Sequence, residues 1–269
     1  MARVQKEPQT KALANWDEEL AKAAKAAQGT AAAAGGGAKR ISIQGGVLQI
    51  DGNPVPGNTL AMVVADFVME NRYFTTEFDP DNPTSPDCYA FGRADEDNPD
   101  PVDTMSPHDD AENKQCEACK GCRQNEWGSS DKGRGKACRN TYKLLVIPAG
   151  ELDKNGDFTP PEEADELTGD MYSLSVPPTS LKAWSGYVDT LAGRLRPPWS
   201  SYTKLIVKGD AKNQVALSFQ PMGDAPTKLL QVLHARNQEA MKAIETAYPK
   251  NSEREKPAPK RAAKGKRRF

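Results

Sequence analysis

Thr59-Leu-Ala-Met-Val-Val-Ala-Asp-Phe67 is the apolar run from which the fold is read. It is rich in aliphatic and β-branched residues, has neither Gly nor Pro, and matches the length of a buried strand. Beyond it, Glu70 to Glu77 continues as a more polar strand through Tyr73 and Phe74. Tyr89-Ala-Phe91 predicts a short aromatic strand leading out of Cys88, and Thr141-Tyr-Lys-Leu-Leu-Val-Ile147 another, stopped by Pro148. Upstream, Ile41 to Ile50 is a strand pattern broken at Gly45-Gly46 by a bulge or sharp bend, and Asp51-Gly52-Asn53-Pro54 is a turn.

Downstream, residues 150–170 are acidic and turn-rich, which predicts a loop. Met171 to Val176 follows as a strand. Ser180 is placed to cap a helix over Leu181–Ala192 that turns Trp184, Val188 and Leu191 inward. Tyr202–Val207 and Gln214–Phe219 form a last strand pair with Gly209-Asp210 near the turn, before a helix from about Pro226 to Tyr248 that buries Leu229, Leu230, Leu233 and Ile244. About seven short strands with one inserted helix predict a mainly β (α+β) fold. The expected form is an OB-like, partly closed β-barrel over residues 40–222, with an inserted metal loop and flanking helices.

Outside that domain, residues 10–27 read as a helix with Leu13, Trp16 and Leu20 on one face. A Gly/Ala linker leads on to residue 39, so residues 1–39 form an appendage suited to a partner or a second copy. The C-terminal helix occupies 223–248, and 249–269 has the composition of a disordered basic arm. Lys and Arg number 36 against 37 Asp and Glu, but the charge is segregated. Residues 77–112 hold twelve acids against Arg93 alone, residues 114–143 carry eight cations against three acids, and the last twenty residues nine cations against two. The acidic stretch is expected to be a solvated loop that competes with polyanions for the basic surface, so that deleting 93–110 tightens binding. No run approaches the roughly 18 apolar residues of a membrane span. The expectation is a soluble, cytoplasmic protein.

All five cysteines lie in one polar region: Cys88, Cys116, Cys119, Cys122 and Cys138. The spacing Cys116-x-x-Cys119-x-x-Cys122 lets thiolates reach one ion from a tight turn, as a tetrahedral site requires. An odd count and an N-terminus without an apolar leader argue against disulfides. Ferredoxin-like spacing keeps an iron–sulfur cluster open, but nothing around it resembles a redox enzyme, so structural zinc is the expected cofactor. Cys119, Cys122 and Cys138 form the central set. Cys88 is preferred as the fourth ligand, with Cys116 and His108 as competitors.

The same loop offers Arg123, Lys132, Arg134, Lys136, Arg139 and Lys143 around Trp127, with Tyr73, Tyr89 and Phe91 on neighbouring strands. A cationic groove with aromatic faces is what unpaired bases stack on. Glycines 128, 133 and 135 leave backbone N–H groups open to phosphates. The plainer alternatives are that Trp127 packs on the metal loop, and that Tyr73, Tyr89 and Phe91 face the core as alternate strand residues must. No phosphate loop, His-Glu-x-x-His or serine-nucleophile motif occurs. The acids Asp95, Glu96, Asp97, Asp103, Asp109 and Asp110 read as solvation, so no catalysis is expected.

Cys119-x-x-Cys122-x-x-Asn125-x-x-Gly128-Ser129, followed by Gly133-x-Gly135-Lys136-Ala137-Cys138, resembles a family of tailed-phage proteins described as single-stranded DNA-binding. Ser85-Pro-Asp-Cys88-Tyr-Ala-Phe and Val176-Pro-Pro-Thr-Ser180-Leu-Lys-Ala-Trp extend the resemblance over roughly residues 40–220. It implies DNA binding in phage replication or recombination, with Cys88, Cys119, Cys122 and Cys138 at the ligand positions and Cys116 as an extra. Well-known single-strand binders end in an acidic tail and this chain ends basic, which puts tail-mediated recruitment of replication proteins in doubt. The expected partner is single-stranded DNA, with replication or recombination proteins and a homo-oligomer as further options. The alternative is a zinc-containing interaction or transcription-regulatory factor using its helices as contact surfaces.

Overall fold

The computed structural model describes residues 39–76, 84–131, 133–210 and 214–251. The expected helix over 10–27 and its linker, Lys132, and the basic arm beyond 251 lie outside these residues. The chain divides into two units, Met1–Lys39 and Arg40–Phe269, and everything below concerns the second.

β1 (Ile41–Gln44) and β2 (Val47–Ile50) form an antiparallel hairpin. Its turn takes φ 58° at Gly45 and 80° at Gly46, the positive pair that two-residue hairpins need. What the sequence presents as a bend is thus a full reversal. Asp51 (φ 50°) and Gly52 (φ 79°) repeat the device before β3 (Asn53–Pro54). Asn58 ties the hairpin down, accepting from Leu48 N at 3.0 Å and donating to Gly46 O at 3.0 Å.

β4 (Thr59–Tyr73) is one strand of 15 residues that joins the apolar run to the more polar stretch. No breaker separates its apolar and polar halves; the change of composition reflects what covers each half. Pairing slips at Ala65, a bulge that leaves one carbonyl off the ladder. Asn237 Nδ2 donates to that carbonyl at 2.7 Å.

β5 (Cys88–Gly92) pairs with Met69–Tyr73, and β6 (Arg139–Pro148) runs along Met62–Arg72. β7 (Glu151–Leu152) and β8 (Phe158–Thr159) make a small hairpin within the expected loop. β9 (Tyr172–Val176), β10 (Ser201–Asp210) and β11 (Gln214–Asp224) complete a sheet of order β11-β10-β4-β6-β9, with β5 beside β4. All these pairings are antiparallel.

The expected mainly β architecture is present, but among the described residues the sheet is open and no barrel closes. Two layers cover it instead. On one face α1 (Leu181–Ala192) buries Trp184, Tyr187 and Leu191, with Val188 half-buried. Trp184 sets its ring edge-on to Phe67 and Phe219, with centroids 5.1 and 5.0 Å away. Ser180 does not cap this helix through its side chain. Its Oγ accepts from Leu217 N at 2.9 Å and so occupies part of the β11 edge. On the other face α2 (Thr227–Ala243) lays Leu229, Leu233 and Ala240 against Val63, Ala65 and Val68. The helix stops at Ala243, and residues 244–251 continue as a separate strap.

Leu195 follows α1 with φ 56° and is 91 % exposed. Arg196 N donates to Leu191 O and Leu195 N to Ala192 O, the paired bonds of a helix end that normally carries glycine at this left-handed position. Leu195→Gly is therefore expected to stabilise the chain by about 0.5–1 kcal/mol in urea unfolding, because it relieves strain and removes no packing. A loss of stability would contradict the strain.

Candidate metal centre and nucleic-acid groove

β4 and β5 set Cys88 opposite Tyr73 and Ala90 opposite Asn71, so these residues share one face of the sheet. The loop after β5 folds over that face. Met105 packs on Ala90 and Cys119, and Cys119 N donates to Met105 O at 2.9 Å. Residues 93–112, within the stretch 77–112 expected as a solvated loop, thus fold back on the sheet. Asp103 pairs with Lys120 at 2.9 Å and Asp109 with Lys114 at 3.1 Å, and none of the acids from 93 to 112 lines the groove described below.

Cys119-Lys120-Gly121-Cys122 is a tight turn with Cys122 N bonded to Cys119 O at 3.3 Å and Gly121 at φ 74°, the position a type II turn reserves for glycine. Cys138 N donates to Gln124 O at 2.7 Å and brings the chain back. As a result Cys88, Cys116, Cys119, Cys122 and Cys138 line one small cavity with Asn71, Gln115, Gln124 and Asn125. All five are free thiols. His108 is elsewhere: its ring stacks on Tyr89 at 5.0 Å and its Nδ1 accepts from Asp110 N at 3.1 Å.

Burial pushes the Cys88, Cys119 and Cys138 thiols up, Cys138 to about 12, and neighbouring sulfurs add to the rise. Cys116 is also raised, by burial and by its contact with Cys122. A cation among the sulfurs would reverse this balance, since a coordinating thiol is deprotonated outright. Among the described residues no group of three or more His, Cys, Asp or Glu side chains is arranged to hold a metal ion. The donor set is nonetheless that of a thiolate-preferring metal such as zinc. Asn71 supports the fit. It is 1 % exposed, and its Nδ2 has no hydrogen-bond partner and faces the Cys119 sulfur, as a donor to a metal-bound thiolate would.

Beside this cavity runs a groove between residues 73–76, at the end of β4, and the loop 123–139. Trp127 stands on its rim, 80 % exposed, with Lys136 Nζ 5.8 Å from its ring centre. The facing wall holds Tyr73 and Phe74, with Arg139 Cζ 5.8 Å from the Phe74 ring, and Arg123 also lines the groove. Arg134 is exposed on the same loop. The loop closes on itself: Gly128 N and Ser130 N donate to Gly135 O, Gly133 N to Ser130 O, and Ala137 N to Ser129 Oγ. The Gly128 and Gly133 amides are therefore spent inside the loop, contrary to the expectation that they meet phosphates.

Lys136 Nζ donates to Asn125 Oδ1 at 3.2 Å, and Asn140 Nδ2 reaches both Asn125 Oδ1 and Asn71 Oδ1. This amide relay joins the groove to the thiol cavity. Its members are far apart in sequence, and no local pattern announces it. Phe74 was legible as the neighbour of Tyr73 at the end of a strand.

Tyr89, Phe91 and Lys143 belong to the opposite face, and their expected place among the nucleic-acid contacts is corrected. Tyr89 is 2 % exposed, edge-on to Phe91 and Tyr248. Lys143 Nζ lies 4.8 Å from the Phe91 ring centre and 5.6 Å from that of Tyr248. Burial lowers the Lys143 pKa, against an upward pull from Glu70. With Cys88 and Ala90 turned to the thiol loop, alternation sends Tyr89 and Phe91 the other way.

No helix among the described residues is long and apolar enough to cross a membrane. Comparison with protein-family models, curated proteins and solved structures finds no match. The likeness to tailed-phage proteins thus rests on the quoted residues alone.

Proposed function

We propose that this chain binds single-stranded DNA in the groove between Tyr73–Phe74 and the 123–139 loop, and that it is a binding protein rather than an enzyme. The observation that carries the reading is Trp127: a large aromatic held out in solvent at a groove edge, with Lys136 over its ring and with Arg123 and Arg139 lining the same groove against Glu126 and Asp131. Unpaired bases can stack on such a face, whereas paired bases keep theirs inside the duplex. The cations would hold the backbone. Cys88, Cys119, Cys122 and Cys138 would hold a structural zinc that fixes the loop, with Asn71 donating to Cys119 and Cys116 left over. The likeness to tailed-phage proteins suggests a role in phage replication or recombination.

The test is fluorescence anisotropy of labelled oligo-dT beside a matched duplex, across a salt series. Trp127→Ala is expected to weaken single-strand binding by roughly 1–3 kcal/mol, about fivefold to more than a hundredfold, while duplex binding changes little. Equal effects on both would remove base stacking from the reading. Weak binding overall would favour the interaction-factor alternative.

A further inference from the structure

Resting on that reading of the thiol cavity and extending it, we infer that Cys116 is a resolving thiol. When a peroxide oxidises the Cys122 sulfur, Cys116 captures it as a disulfide, so that the metal centre and the groove wall are lost reversibly rather than destroyed. Four thiolates close a tetrahedral site, and five sulfurs line this cavity. The cavity has room for about one water-sized particle, so the sulfur left over stays beside the ligands. All five are free thiols.

Contact and access both place Cys116 for this role. Its side chain touches Cys122, and Cys119 and Cys88 are further neighbours. It is half-buried and is followed by exposed Glu117 and Ala118, whereas Cys88, Cys119 and Cys122 are 7, 6 and 8 % exposed. A small oxidant that enters beside Cys116 therefore meets the Cys122 sulfur next.

The chemistry balances with hydrogen peroxide as the oxidant. The Cys122 thiolate takes one peroxide oxygen, the O–O bond breaks and hydroxide leaves, giving a sulfenic acid. The Cys116 sulfur then attacks the Cys122 sulfur, the S–O bond breaks, and the Cys116 proton departs with that oxygen as water. The hydroxide takes a proton from solvent, so the two sulfurs lose two electrons and the peroxide becomes two waters. A sulfenic acid with no thiol in reach goes on to sulfinic acid, which added thiols do not reverse.

Cys122 also anchors the groove. Asn125 N donates to Cys122 O at 2.8 Å, closing the turn Arg123–Asn125, and Cys138 N donates to Gln124 O at 2.7 Å. Arg123 lines the groove, and Asn125 Oδ1 accepts from Lys136. A disulfide removes one of the four proposed ligands and draws Cys122 towards Cys116, so the wall that carries Trp127 loosens with the centre.

The experiment treats the zinc-loaded full chain with hydrogen peroxide and then with dithiothreitol and fresh zinc, beside Cys116→Ser and Cys116→Ala handled identically. In the parent, peptide mass spectrometry is expected to map a Cys116–Cys122 disulfide while zinc is released and oligo-dT affinity falls about tenfold or more. Reduction with zinc should restore both. The two variants should also release zinc, but they should carry sulfinic acid at Cys122 and recover less than about half of it. Variants that recover as fully as the parent, or a parent disulfide that leaves out Cys116, would overturn the resolving role. Unchanged oligo-dT affinity in the fully oxidised parent would overturn the link to the groove. A parent that never binds oligo-dT ends the DNA reading, while zinc recovery still decides the role of Cys116. A parent that holds no zinc ends the metal reading, and this inference falls with it.

Discussion

Cys119→Ser is expected to abolish stoichiometric zinc in the purified protein and to lower its stability by about 3 kcal/mol or more, a fall of roughly 6–12 °C in melting temperature for a domain of this size. Cys119 is the choice because every part of the proposed centre meets there. Its sulfur faces Asn71 and neighbours Cys88, Cys116 and Cys122, its amide is bonded to Met105 O, and its side chain packs on Met105 and Ala90. The substitution should also weaken oligo-dT binding, because the relay Asn71–Asn140–Asn125–Lys136 begins at that sulfur and ends beside Trp127. Cys116→Ser is the matched control and should keep zinc and melting temperature near those of the parent. Zinc per chain by elemental analysis, read alongside the melts, decides it. Zinc lost with Cys116→Ser but kept with Cys88→Ser would exchange those two positions in the ligand set. A parent protein without zinc that melts with Cys119→Ser would remove the metal altogether.

What could be read from sequence was whatever is encoded locally. Cys119-x-x-Cys122 and the apolar spacing of Trp184 and Leu191 are patterns within a few residues and appear as the expected turn and helix face, while Gly45-Gly46 marks the right place but makes a hairpin turn where a bulge or bend was expected. Pairing is not local. Composition marks β4 and β6 as strands but does not say that β9 and β11 end as separate edges of an open sheet. The Asn71, Asn125 and Asn140 relay joins three segments and could not be read at all.

Tyr89, Phe91 and Lys143 are a different case, because parity alone was enough. If Cys88 points to the thiol loop, Tyr89 and Phe91 cannot, and Lys143, opposite Val68, follows them. A count of aromatics and cations near the loop hides this, since it ignores which face each strand residue takes.

That opposite face supports the second large effect: Glu70→Ala is expected to cost about 3–5 kcal/mol in urea unfolding. Glu70 is 1 % exposed, accepts from Tyr248 Oη and from Thr141 Oγ1 at 3.3 Å, and lies 3.2 Å from Arg72 Nε. Lys143 stands close by between the Phe91 and Tyr248 rings. Removing the carboxylate leaves the neighbouring cations Arg72 and Lys143 with Glu245 as the acid that still acts on Lys143 among the described residues, and an unpaired buried charge is far costlier than a missing hydrogen bond. Tyr248→Phe deletes one hydrogen bond to a charged acceptor and should cost less, about 1.5–3 kcal/mol.

The pH dependence separates this account from simple cavity formation. Lys143 is already shifted down by burial, and without Glu70 its upward pull is gone. The unfolded chain then binds more protons than the native one, so stability rises with pH until the unfolded lysine titrates near 10.4. The deficit of Glu70→Ala relative to the parent should therefore shrink from pH 7 towards about 9, about one unit below the ordinary tyrosine value. A deficit that stays constant over that range would assign the loss to packing. One below about 1 kcal/mol would show that the cations find water once Glu70 is gone. Glu70→Ala should also free Tyr248 and with it the 244–251 strap, so proteolysis after Lys250 is expected to quicken in step with the loss of stability.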